Sequence, residues 1–99
     1  MKKVAKLDIF GQKWQVVTGK LSPNEAGLCE YGKMRIVINQ DIPVGSNLWL
    51  ETLCHEIFHS SFERCSYKQS GLPHELEEVM IDQLAKILTE NRKILKKLF

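Results

Sequence analysis

The apolar residues of this 99-residue chain change period near Pro43 and Gly45, and that change constrains the fold more than any other feature. Before it, short runs rich in β-branched and aromatic residues alternate with turn residues; after it, apolar residues recur at helical spacing. Val4 to Phe10 and Trp14 to Thr18 are β-prone, and Gly11-Gln12-Lys13 between them supplies a turn, which predicts a hairpin. Leu21 to Gly27 reads as a loop or a single helical turn opening at Ser22. Leu28-Cys29-Glu30 and Met34 to Asn39 flank Tyr31-Gly32-Lys33 as a second hairpin. On its return leg Met34, Ile36 and Ile38 alternate against Arg35, Val37 and Asn39, which predicts one apolar and one partly polar face.

Beyond Gly45, Ser46 or Asn47 is placed to cap a helix running to about Arg64. Leu50, Leu53, Cys54, Ile57 and Ser61 form one stripe of that helix, while Thr52, His55, Glu56 and His59 lie on another face. Cys65 to Pro73 reads as a loop, and a last helix opens at His74 or Glu75 with Leu76, Met80, Leu84, Ile87 and Leu88 at helical spacing. Strands followed by helices, in a chain with length for one core, predict a single α+β domain over residues 1–99. Its expected architecture is a small antiparallel sheet packed on two helices.

Composition removes several function classes. With 14 basic against 12 acidic residues the net charge is +2, too small for the concentrated basic face that nucleic-acid binding needs. The basic, amphipathic run Asn91 to Phe99 suits an acidic partner or a membrane surface in principle, but its cations equally complement the negative end of a helix dipole. No apolar stretch approaches the ~20 residues needed to cross a bilayer, and no secretory signal is legible, so neither a membrane nor a nucleic-acid partner is expected. Cys29, Cys54 and Cys65 are odd in number and share no C-x-x-C spacing, which fits reduced cytoplasmic thiols better than a disulfide framework or a zinc knuckle. Cys54 and the aromatic residues Trp14, Trp49, Phe58 and Phe62 read as core.

The chemistry lies in His55-Glu56-Ile57-Phe58-His59, a His-Glu-x-x-His motif in mid-helix. Positions four apart stack on one helical face, so both imidazoles can reach one zinc ion while Glu56 projects beside it as a general base. Zinc in hydrolytic sites takes three protein ligands and keeps a position for water, whose pKa it lowers toward ~7. A third ligand is therefore needed. The last helix offers Glu75, Glu77, Glu78 and Asp82; Glu78 and Asp82 share a face with the small Ala85, which permits close approach to the motif helix. Glu78 is the candidate ligand and Asp82 the carboxylate that receives a ligating histidine's second N–H, with Glu77 as the rival ligand one position away.

This pattern, with Glu78-x-x-x-Asp82 downstream of His55-Glu56-x-x-His59, resembles the gluzincin class of zinc metallopeptidases. Together with Gly27 to Tyr31 and Arg35 to Ile38 it resembles small phage-type and bacterial members related to the ImmA/IrrE group and the minigluzincins, over roughly residues 27 to 90. The resemblance implies a minimal zincin-like domain that binds Zn2+ through His55, His59 and Glu78. It further implies peptide-bond hydrolysis by a metal-bound water with Glu56 as base, on a peptide or protein substrate held as an added strand. Met34 to Asn39 is the expected substrate edge. Larger gluzincins carry an extra domain with a Tyr or His for the oxyanion, for which this chain has no room; His74, Tyr67, Tyr31 and Arg35 are the substitutes, and no spacing singles one out. The alternative function is a weak or inactive zinc-binding interaction module of the same fold.

Overall fold

The computed structural model describes residues 1–64, 71 and 73–98. In chain order it contains β1 (Lys2–Ile9), β2 (Gln12–Gly19), β3 (Gly27–Glu30), a 3-10 turn (Tyr31–Lys33), β4 (Arg35–Asn39), α1 (Asn47–Arg64), α2 (His74–Glu90) and α3 (Arg92–Leu98). The α+β class read from the sequence is the class observed. Its details differ in three places.

The first is the sheet. Strands β1 and β2 pair antiparallel from Lys2↔Thr18 to Ile9↔Gln12, so the turn is Phe10-Gly11 rather than Gly11-Gln12-Lys13. Both turn residues have positive φ, 47° and 81°, as a two-residue hairpin requires to match the strand twist. Lys13 is consequently inside β2, paired with Asp8 across the ladder. The strand order is β1-β2-β4-β3, with β4 slotted between β2 and β3. Since β3 reverses the chain direction between them, β2 and β4 run parallel, Gln15↔Arg35 to Gly19↔Asn39, and the sheet is mixed where an antiparallel one was expected.

The central place of β4 overturns the expected two-faced strand. Ile36, Val37 and Ile38 are all fully buried, because a strand flanked on both edges has little surface left for water. Met34 sits in the left-handed region at φ 48°, so the strand starts at Arg35. Met34 to Asn39 is therefore no substrate edge. The sheet edge beside α1 is β3, at Gly27–Glu30.

The second difference concerns α2. The core joins Ile9, Trp14, Val16, Ile36 and Ile38 of the sheet to Trp49 of α1, with Leu50, Leu53 and Ile57 packed against them. α1 thus covers the sheet with one side and meets α2 with the other. α2 does not bring its apolar stripe to this contact: Leu76, Met80, Leu84 and Ile87 are exposed, and Glu77, Ile81 and Ala85 are buried instead. Ala85, 1% exposed, gives the close approach expected of a small residue there. The helix is rotated so that its carboxylates, and not its leucines, look toward the histidines of α1.

The third is the C-terminus, where the basic run forms a separate helix α3 after a break at Asn91 (φ −101°, ψ 12°) instead of ending α2. Asn91 closes α2 by donating both its backbone N–H (3.2 Å) and its side-chain amide (2.9 Å) to the Ile87 carbonyl. Among the described residues no helix is long and apolar enough to cross a membrane. Cys65, Tyr67 and most of the loop expected at Cys65 to Pro73 lie outside the described residues.

Candidate metal centre

Ser46 starts α1 as the sequence predicts, its hydroxyl accepting the Trp49 N–H at 3.2 Å and its carbonyl the Leu50 N–H at 3.0 Å. The motif then falls two to three turns into the helix, on backbone held on both sides. His55 and His59, stacked one turn apart, bring their Nε2 atoms to 3.0 Å. Glu78 of α2 reaches the same point, with Oε1 3.1 Å from His59 Nε2 and Oε2 3.6 Å from His55 Nε2. The predicted trio of His55, His59 and Glu78 is assembled, one donor atom from each lying within 4.8 Å of the others.

Behind the trio, Asp82 Oδ1 lies 2.9 Å from His55 Nδ1, the relation expected for a carboxylate that receives the second ring N–H. Glu77, the rival ligand, points elsewhere. Its Oε1 is 3.4 Å from His59 Nδ1, on the ring edge opposite the trio, and its side chain is 2% exposed. Neighbouring residues on a helix diverge by about 100°, so Glu77 and Glu78 serve different sides of one imidazole.

These contacts fix what can sit between the rings. With Asp82 taking the proton of His55 Nδ1, His55 Nε2 carries a lone pair, and so does His59 Nε2 when its proton faces Glu77. In those tautomers two lone pairs and a carboxylate oxygen face one another, an arrangement that a bound cation would relieve. Tetrahedral zinc with ligands at ~2.0–2.2 Å holds them roughly 3.3 Å apart. The two Nε2 atoms, 3.0 Å apart, lie near that spacing, Glu78 meets each of them through a different oxygen at 3.1 and 3.6 Å, and imidazole with carboxylate is a donor set that suits zinc.

Glu56 sits beside the trio, 8% exposed, against the edge strand. Here β3 passes so near α1 that a methyl group at Gly27 would lie 2.8 Å from Thr52 Cγ2 and 3.1 Å from Glu56 Cγ. Only glycine fits this approach. Two residues on, Cys29 Sγ donates to the Glu56 carbonyl at 3.1 Å and clips the strand to the helix. Burial, reinforced by the Glu56 charge, pushes the Cys29 thiol far above its ordinary range, so it stays a neutral donor. Sequence reasoning assigned neither residue a part in the site; both depend on a strand-to-helix distance that no local pattern encodes. Cys54, expected in the core, is only partly buried.

An open groove of about 390 Å³ runs from this corner between the loop before β3 and the first half of α1, lined by Glu25, Gly27, Leu48, Thr52, His55 and Glu56 among others. The candidates for an oxyanion donor separate clearly. Arg35 is bound to Glu30 through Nε (2.7 Å) and a terminal nitrogen (2.6 Å), and Tyr31 stands edge-on to Trp14 with centroids 6.2 Å apart. Among the described residues His74 reaches Glu78 of the trio, its Nε2 4.0 Å from Oε1 and its side chain 76% exposed, while the Tyr31 hydroxyl is within electrostatic reach of Glu56 and Glu77.

Compared with protein-family models, with curated proteins and with solved structures, the chain matches none. The functional reading therefore rests on the site itself.

Proposed function

We propose that this protein is a zinc-dependent peptidase of the gluzincin kind, with His55, His59 and Glu78 holding the metal and Glu56 as general base. The convergence of two imidazole lone pairs and a carboxylate oxygen on one point carries the reading. Zinc held there supplies a Lewis acid for the scissile carbonyl and acidifies a water molecule. Glu56, buried at the end of the groove, would serve as general base toward a water held there and return that proton to the leaving amine. Asp82 keeps His55 in the tautomer that leaves Nε2 free.

A substrate strand adds to the free edge of β3, in place of the interior β4, and passes along the groove between the loop before β3 and α1. Electrostatic help for the oxyanion would come from zinc, and His74, beside Glu78, is a side chain able to contribute. Cys29 and Cys54 are free thiols, which suits a reducing compartment such as the cytoplasm.

The test joins metal content to cleavage. Tag-free protein should carry about one zinc per chain and cleave a mixed-sequence fluorogenic peptide pool, while Glu56→Gln should keep its zinc and lose about 10²- to 10⁴-fold in rate. Protein without tight zinc binding sinks the reading. Zinc bound by a wild-type chain that cleaves nothing favours the interaction module.

A further inference from the structure

Glu77 is the most deeply buried acidic side chain described, 2% exposed, and its Oε1 has no hydrogen-bond partner. A carboxylate removed from water without a partner is costly, so its surroundings should hold what it pairs with. The group it faces is His59 Nδ1 at 3.4 Å, beyond good hydrogen-bond length but on the same ring edge that Asp82 occupies at 2.9 Å on His55. The two rings are thus treated alike from behind. They differ in solvent, for the Asp82 side chain is 52% exposed and that of Glu77 is almost wholly enclosed.

Resting on the zinc reading above, we propose that Glu77 is the positioning carboxylate of His59: it holds the Nδ1 proton, aims Nε2 at the metal and does not itself ligate. Its burial decides how much this matters. A charge screened by water acts weakly on its neighbour, whereas an enclosed one acts at low effective dielectric, so Glu77 holds the Nδ1–H of its imidazole in place more firmly than Asp82 does. The enclosed carboxylate also has a cost that the metal offsets. Without the metal its Oε1 has no hydrogen-bond partner among the described residues; with a cation held at Nε2, the Nδ1–H would become a stronger donor to it.

This predicts effects of opposite sign in one variant. Glu77→Leu removes the buried charge while filling much the same space, so the metal-free protein should melt at the same or a higher temperature than wild type. Its zinc affinity, read by competition with a chromogenic chelator, should fall about 10- to 100-fold, and Glu77→Gln should follow in affinity. Asp82→Asn should fall less. Cobalt-loaded Glu77→Gln should keep the intense visible bands of a four-coordinate site, shifted in position, while Glu78→Gln should lose them. Zinc affinity unchanged in both Glu77 variants overturns the proposal, as does loss of the cobalt bands in Glu77→Gln, which would make Glu77 a ligand. A lower metal-free melting temperature for Glu77→Leu with unaltered affinity assigns Glu77 to packing alone. Wild-type protein that binds no zinc fails the metal reading itself, a result distinct from all of these.

Discussion

α1 has two working sides, and they are built on opposite principles. Toward the sheet it presents Trp49, Leu50, Leu53 and Ile57 to Trp14, Val16, Ile36 and Ile38, an apolar contact that holds with no ligand. Toward α2 it presents two histidines to Glu77, Glu78 and Asp82, with Ile81 and Ala85 as the buried apolar company. The first side gains from expelling water; the second gathers imidazoles and carboxylates, whose confinement a bound cation would offset. Fold and site are therefore separable within one helix. The same two-sidedness explains why no strong apolar stripe marks α1 as amphipathic in the sequence: both of its sides are covered.

The contrast can be broken in descending order of effect. Trp14→Ala empties the sheet-side core and should cost about 3–5 kcal/mol in urea unfolding, a large share of the stability of a domain this size. Removing zinc should act on the other side alone: with metal at 100 times its Kd the loss is about 2.7 kcal/mol, and amide exchange should rise in α1 and α2 with little change in β2 and β4. Equal loosening of helices and strands would show that the two sides are not separable. Smallest is Met80→Ser on the outer face of α2, expected within about 0.5 kcal/mol because Met80 is exposed, although helical spacing groups it with residues a reader would place in the core. A cost of several kcal/mol there would return the apolar stripe to the interior.

What the sequence makes legible follows from distance along the chain. Hairpin β1–β2, the limits of α1, its Ser46 cap and the meeting of His55, His59, Glu78 and Asp82 all rest on local period or on one helix pair joined by a short connection. The parallel ladder β2–β4 does not, since its partners are twenty residues apart and another strand lies between them in sequence. Burial of Val37 and retreat of the supposed substrate edge to β3 follow from that one ladder. The rotation of α2 was hidden for a different reason: periodicity counts apolar residues, and here the carboxylates choose the face. Glu77 was visible as an acid near the site, but its side of His59 is fixed only by that rotation.

The close passage at Gly27 has a consequence for how such a site can change. The wall against Glu56 is main chain and a missing Cβ, so this carboxylate is braced by the one component of a protein that mutation leaves in place. Glu25 and Leu48 on the rim of the groove are exposed and free to be replaced. A lineage carrying this arrangement can therefore alter the chemistry of its groove rim by single substitutions without displacing the Glu56 carboxylate, whereas any side chain at Gly27 must push Thr52 and Glu56 aside.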